Sequence, residues 1–556
     1  MNYPIDKLLL QAAYEHEANR PDSVFLTQPT PDGVVDYSWR ETMRQARCMA
    51  AYLRSLDLPD NSNIAMVSKN CAHFVIAELA IWMAGHCTVA LYPTLHAETV
   101  GYILGHSEAR LLFVGKLDDW EAMHPGVPAD MPLIAFPLAP ANDYPQWDDI
   151  VANHPPIGDN PEWPAERRAL ICYTSGSTGN PKGVMHSFYS VSAPACLVGD
   201  VFNISSADRM LSYLPLAHVF ERAVVESGGI YHGVHIYFAE ELDTFLQDMR
   251  RARPTVFLSV PRLWQKFQSG VLEKMPEKKL RRLLKIPLLR GIVQRKVLDG
   301  LGLGDVRLAI SGSAPLTPEL LRWYDRLGLP IMEGYGMTED FAYSHVSLPG
   351  SREIGYVGKP LKGVESRISG KGEIELRGPG LMMGYYRDPE QTAQVMTGDG
   401  FFKTGDRGEF SKDGLLRITG RVKELFKTSK GKYVAPVPIE NLLNASNLVE
   451  MSCVSGSGRQ ACYALVHLSE SAHQRYDDPA FRRQAEAELE SLLAGVNNAI
   501  EEFEQIKFIA VAREAWTIEN NFLTPTLKLK RDVIEAAFEP FLDQWYAENR
   551  KVIWQD

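Results

Sequence analysis

The chain has no pair of cysteines at redox or metal-ligand spacing. Its seven cysteines (Cys48, Cys71, Cys87, Cys172, Cys196, Cys453, Cys462) are scattered and odd in number, with no Cys-x-x-Cys and no Cys/His cluster. This excludes a disulfide framework and a structural zinc site, and implies free thiols in a reducing compartment. No apolar run approaches the roughly 18 residues of a helical membrane span. The amino-terminal MNYPIDKLLLQAAYEHEANRPDS interrupts its short apolar patch with Glu15, Glu17 and Arg20, unlike a secretory leader, so a cytoplasmic location is expected. A basic surplus is also missing: Lys and Arg total 58 against 69 Asp and Glu, a formal net charge of -11. Nucleic-acid binding needs a basic surface, so a neutral or locally steered small ligand is expected instead.

What is present is globular. Hydrophobic residues make up 45% and charged residues 23% of 556 positions, an ordinary composition for packed domains and too long a chain for one core. Between about 60 and 345, strand-length apolar runs (NIAMVSKN, TVALYP, RALICYTSG, RMLSYLPL, TVFLSVP, VRLAISGSA, PIMEGYG) end in Gly, Ser or Pro and alternate with helical stretches such as FVIAELAIWMAG. That pattern predicts an α/β fold with parallel-rich sheets flanked by helices, and ligands at the carboxyl ends of the strands. After 350, Gly-punctuated segments (GEIELRGPG, GEFSKDGLLRITG) predict a smaller β-rich region. The tail mixes the strand CYALVHLS with the charged helix DPAFRRQAEAELESLLAGVNNAI. The expected division is a large domain over 1–420 and a small mobile α+β domain over 421–556.

The stretch RALICYTSGSTGNPKGVMHS combines a buried strand, a loop and a predicted helix from about Val184. Gly176 and Gly179 free backbone N–H groups to face an anion, and Thr174, Ser175, Ser177 and Thr178 add hydroxyls, an arrangement suited to polyphosphate. It is not a Walker A loop, because Lys182 lies between Pro181 and Gly183 rather than within Gly-Lys-Ser/Thr. A plain Gly- and Ser-rich surface turn would share this composition.

Further segments follow in order: LPLAHVFER (214–222), SGSAPL (311–316), EGYGMTE (333–339), FFKTGD (401–406), ITGRVKELFKTSKGKYVAPVPIE (418–440) and LTPTLKLKR (523–531). With the loop, these resemble the acyl-adenylate-forming superfamily, most closely its long-chain fatty acyl-CoA synthetase branch, from about Tyr37 to Arg531. The resemblance implies a two-step reaction. A carboxylate attacks the α-phosphorus of ATP, releasing pyrophosphate, and a thiol then takes the acyl group from acyl-AMP.

Residue by residue, it implies that Thr174 to Lys182 hold the β- and γ-phosphates, that Thr338 faces the α-phosphate and that Glu339 ligates Mg²⁺. Thr338 and Glu339 would otherwise read as a helix N-cap and a first-turn acid. Tyr335, within Glu333, Gly334, Gly336 and Met337, resembles the adenine platform, opposite Gly312, Ser313 and Ala314. Asp406 resembles the ribose ligand and Arg421 a ribose and phosphate contact. Lys528 aligns with the catalytic lysine of adenylation, although Thr526-Leu527 stands where Ser-Gly is commoner, so Lys530 is its competitor. Lys423 matches a hinge, Lys427 and Gly431 match the coenzyme A channel, and His218 matches a position in the acyl pocket.

A medium- or long-chain acid is the favoured substrate, with ATP, Mg²⁺ and coenzyme A as partners. Adenylation of an aryl or short branched acid, transfer to a carrier-protein thiol, and a non-catalytic acyl-nucleotide binding protein are the alternatives. Oligomeric state has no marker in the sequence. Residues 277–297 place Leu280, Leu283 and Leu284 at helical spacing among Lys278, Lys279, Arg281, Arg282 and Lys285 until Pro287. The segment fits either a solvated helix packed on the core or peripheral contact with the inner membrane face.

Overall fold

The computed structural model describes residues 3–174, 180–524 and 528–555. These form two compact units, residues 1–366 with 376–402, and residues 367–375 with 403–556. In the first unit a seven-stranded sheet runs in the order Gly384–Tyr385, Lys182–Ser187, Arg168–Thr174, Cys87–Leu91, Asn63–Val67, Leu111–Val114, Leu133–Ala135. Its last five strands are parallel. They are near-continuous apolar runs because helices cover both faces. Helix Ala72–Met83, buried at every residue, is one such cover.

In a second sheet, Val256–Ser259, Leu308–Ser311 and Ile331–Tyr335 run parallel, and two short antiparallel strands follow. A third sheet joins Gly33–Ser38, Val24–Thr30, His235–Phe238 and Arg209–Ser212. The segment from Val219 to His232 is helical throughout but widens to π geometry over Arg222–Ser227, a form that often marks function.

Most residues of the sheet Glu365–Ile368, Glu373–Arg377, Phe402–Phe410, Leu416–Arg421 belong to the second unit, which also holds a sheet of Val449–Ser455, Cys462–Leu468, Ile506–Val511 and Val552–Trp554. Alternation decides its two cores. Cys462, Ala464 and Val466 pack with helix Pro479–Asn497 through Leu489 and Leu493, whereas Tyr463 and Leu465 pack with helix Arg531–Ala547 through Phe538 and Leu542.

One local expectation is overturned. No helix begins at Val184: residues Lys182–Ser187 form a strand antiparallel to Arg168–Thr174, and the helix starts at Phe188. The pairing wins because Val184 is opposite Cys172 and an added Cβ at Gly183 would come 2.9 Å from Ile171. Ser187 then caps the helix, its side chain accepting from Ser190 N. Gly420, the expected domain boundary, lies inside strand Leu416–Arg421, whose partner strand draws residues from Lys403 onward into the second unit.

Candidate active site

In the first unit, hairpin register brings three distant residues into a chain. Thr174 pairs with Lys182, and Tyr385 pairs with Val184 from the strand on the other side. Lys182 Nζ lies 5.6 Å from the centre of the Tyr385 ring. The Tyr385 hydroxyl donates to Glu339 Oε1 at 2.8 Å. A single cation, an aromatic spacer and a hard carboxylate are thereby held in sequence. Burial and the Glu339 charge both push the Tyr385 phenol well above its ordinary range, so it remains a donor. No motif in the sequence marks Tyr385; its only signal is GYY beside the Gly-rich GPGLMMG. Ser175, Gly176, Ser177, Thr178 and Gly179, the rest of the expected phosphate loop, lie outside the described residues.

The Glu339 segment is itself clamped. Residues Thr338–Asp340 form a 3₁₀ turn. The capping role falls to Asp340, whose carboxylate accepts from Met337 N at 2.8 Å, and not to Thr338 or Glu339. Phe341 and Ala342 follow with φ of 51° and 55°, two consecutive non-glycine residues in the left-handed region, a strained arrangement typical of functional sites. Gly336 is required by the same turn, since its Cβ would meet Ala342 backbone at 2.8 Å. His186 fixes the turn from below, its Nε2–H donating to Thr338 O at 2.8 Å. Full burial drives the imidazole down to about 4, so it holds that carbonyl as a neutral ring.

Gly312, Ser313 and Ala314 leave the strand Leu308–Ser311 beside Glu333, Gly334 and Tyr335, where Ser311 is in register with Glu333. Both segments therefore sit at the carboxyl ends of adjacent parallel strands. Glu333 Oε1 accepts from Leu316 N at 3.2 Å and ties them together. Burial raises its carboxyl to about 7. Ser313 has φ 70°. The Tyr335 ring lies 6.1 Å from the His345 ring.

His218 opens helix Val219–Glu221, with Nδ1 accepting from Phe220 N at 3.2 Å. The loop before it is held by buried polar groups. Asn70 donates to Leu214 O at 2.7 Å and accepts from Leu216 N at 3.2 Å. Arg222 donates to Leu216 O at 3.2 Å and pairs with Glu78. Glu221 accepts from Tyr213 N at 3.1 Å, and burial raises its carboxyl to about 8.

Such a group is protonated in the fold to about pH 8, but in the unfolded chain only to about 4.3. The fold therefore holds a proton the unfolded chain has lost, and stability from this site falls as pH rises between those values. Glu221→Gln keeps the shape without a proton to lose. Its stability relative to the parent is expected to climb from pH 5 to 8 and to be flat below 4, measured by native-state hydrogen exchange in peptides of the first unit at a series of pH values. A pH-independent difference refutes the assignment.

In the second unit, Asp406 and Arg421 are cross-strand partners with Oδ1 to Nε 2.9 Å. Asp406 is buried, and Gly405 beside it has φ 75°. Lys423 occupies the turn after this strand. Lys427 pairs with Tyr433, its Nζ 5.6 Å from that ring. Gly431 closes the same hairpin at φ 80°, where an added Cβ would stand 3.9 Å from Lys427 Cε. The turn itself thus calls for glycine. Lys528 is exposed, its N–H donating to Thr524 Oγ1 at 3.1 Å. Lys530 instead donates its ammonium to Asn521 Oδ1 and its N–H to Phe522 O. Pro525, Thr526 and Leu527 lie outside the described residues.

Sheets whose strand ends carry Gly-rich turns, a lysine and a hard carboxylate define a nucleotide-handling α/β class. The comparisons make it specific. The family model of AMP-binding enzymes matches residues 13–386, and that of the AMP-binding enzyme C-terminal domain matches 424–550. The chain belongs to the AMP-binding enzyme family. It is 31% identical to a long-chain-fatty-acid–CoA ligase of Mycobacterium bovis over 96% of both chains. A human long-chain-fatty-acid–CoA ligase is 30% identical over 92% of this chain and 82% of that protein. Within the family, these relatives support an AMP-forming acid–CoA ligase. The same fold occurs in the adenylation domain of a Segniliparus rugosus carboxylic acid reductase complexed with AMP and a co-purified carboxylic acid (TM-score 0.79, 22% identity, 97% and 94% coverage). It occurs also in an ATP-bound MatB of Rhodopseudomonas palustris (TM-score 0.75, 24% identity, 96% and 99% coverage). No described helix is long and apolar enough to cross a membrane.

Proposed function

We propose that the chain is an ATP-dependent fatty acid:CoA ligase for medium- or long-chain acids. The observation that carries this reading is the Lys182–Tyr385–Glu339 chain, which sets one ammonium and one carboxylate on the two ends of a fixed aromatic spacer. A polyphosphate needs both, a cation on its terminal oxygens and a metal-bearing oxygen nearer the reacting phosphorus.

Thr174 and Lys182 hold the departing β- and γ-phosphates, and Thr338 faces the α-phosphate. Glu339 is a hard carboxylate of the kind Mg²⁺ takes, with phosphate and water completing the shell. Bound there, the ion supplies charge neutralisation at the phosphates. Tyr335 and the Gly312–Ala314 backbone take the adenine, and Asp406, held by Arg421, takes the ribose hydroxyls. Lys528 supplies the ammonium that lowers the repulsion between the incoming carboxylate and the α-phosphate.

In this step the carboxylate oxygen bonds to the α-phosphorus as the α–β bridge breaks. Then the coenzyme A sulfur, its thiol proton lost to solvent, bonds to the acyl carbon as the acyl–oxygen bond breaks and AMP leaves. Lys423 is the hinge for the second step, Lys427 and Gly431 border the pantetheine path, and His218 lies along the acyl pocket. Full-length similarity to long-chain ligases supports the substrate class.

The test is pyrophosphate release over fatty acids of graded chain length, an aryl acid and a short branched acid, with and without coenzyme A. Release that depends on long-chain acid, with acyl-CoA formed only when coenzyme A is present, is expected. Preference for the aryl acid, or transfer only to a carrier-protein thiol, selects an alternative. No acid-dependent release at any chain length overturns catalysis altogether.

A further inference from the structure

Residues 277–300 form two helices, Glu277–Leu284 and Pro287–Gly300, broken at Pro287. The first packs on the core through Leu280, which is buried. The second has no buried residue at all. Its inner side is half-buried at Val293, Gln294, Val297 and Leu298, but the whole stretch Lys285 to Ile292 is exposed. Within that stretch Leu288 is 87% exposed, Ile292 65% and Ile286 44%.

Large aliphatic side chains one helical turn apart and open to solvent are unusual, since a free surface normally scatters them singly. Charge distinguishes the occupant. From Lys278 to Leu298 there is no Asp or Glu, although the chain carries a net charge of -11. Among the described residues, Lys278, Lys279, Arg281, Arg282, Lys285 and Arg290 form no ion pair, whereas Arg295, near the end of the same block, pairs with Asp299, and Arg326, outside it, pairs with Glu277. A run of cations without ion pairs flanks a protruding apolar tip.

A protein partner with an acidic groove would meet the charge. A bilayer with anionic headgroups meets both features at once, cations at the phosphates and aliphatic side chains at the acyl boundary. We infer that the Pro287 elbow, with Ile286, Leu288 and Ile292 at its apex and Lys285 and Arg290 at its sides, is a docking surface for an anionic lipid bilayer. The inference stands apart from the proposed catalytic reading, because none of these residues is assigned to substrate.

The test is sedimentation of the full chain with vesicles of phosphatidylcholine alone, or containing one-third phosphatidylglycerol, at low and high salt. Binding to the anionic vesicles that weakens with salt is expected. Lys285→Ser/Arg290→Ser should weaken it about thirtyfold, from roughly fivefold for each basic residue at the surface. Leu288→Ser/Ile292→Ser should weaken it about tenfold or more, with pyrophosphate release from a soluble acid unchanged in both variants. Absence of binding to anionic vesicles at low salt overturns the inference. So does vesicle binding that neither pair alters, or variants that instead lose heparin binding or self-association.

Discussion

Lys528→Ala is expected to reduce acid-dependent pyrophosphate release by roughly 10²- to 10³-fold, the usual loss when one preorganised donor is removed from a charge-developing centre. Thioester formation from supplied acyl-AMP should change only a few-fold, because no carboxylate and phosphate remain to be brought together. The two lysines of LKLK are separated by their surroundings. Lys530 opens helix Arg531–Ala547 and spends its ammonium on Asn521, while the neighbouring Arg531 is anchored to Glu440 at 2.7 Å. Lys528 is exposed two residues earlier. Lys530→Ala is therefore the control, expected to cost far less in either half-reaction. Equal losses in both half-reactions for Lys528→Ala refute its role in adenylation, and a larger loss at Lys530 transfers that role.

Arg222→Met is expected to destabilise the first unit by about 3–5 kcal/mol, the cost of leaving a buried charge without its partner. Arg222, Glu78 and Glu226 are all buried, with Arg222 Nε 3.8 Å from Glu226. Burial raises the Glu226 carboxyl well above its ordinary range, with repulsion from Glu78 adding to it. Arg222 pairs with Glu78, and burial disfavours a second charge on Glu226. Removing the guanidinium strands Glu78 and releases Leu216 O, so the turn before His218 loosens as well. Replacing Arg222, Glu78 and Glu226 together with Met should recover most of the loss, since apolar residues of similar volume pack without a desolvation cost. Two-unit chains do not unfold in one step, so the measurement is native-state hydrogen exchange in peptides of the seven-stranded sheet. A loss below about 1 kcal/mol for the single variant, or a triple variant as unstable as the single, refutes the buried-pair account.

The Pro287 elbow and the Lys182–Tyr385–Glu339 chain differ in how legible they are. Leu280 among lysines and arginines, ending at Pro287, is visible as a pattern in residues 277–297. That Leu280 is buried while Leu288 is open depends on which side the core lies. Similarly, Val184 looks like a helix start by its position after Pro-Lys-Gly, yet the partner strand at Ile171 and Cys172 claims it. Local propensity lost to pairing. Arg222 and Glu226 are one helical turn apart in sequence, but Glu78, which completes the cluster, comes from another helix.

The sequence by itself determined what periodicity and residue chemistry encode over short range. It marked the buried parallel strands, the Gly-rich turns at their carboxyl ends, the alternating strand Cys462–Leu468 and the identities of Lys182, Glu339, Asp406 and Lys528 as charge-bearing candidates. Only the tertiary structure decided which groups meet and in which protonation state. Tyr385 reaches Glu339 and Lys182 because its strand adds to the edge of the sheet beside Lys182–Ser187. His186 is neutral, Glu221 and Asp340 are raised to about 8, and Asp406 is held by Arg421. Those outcomes follow from burial and from sheet register between distant segments, and desolvation acts on a side chain only once the fold has removed its water.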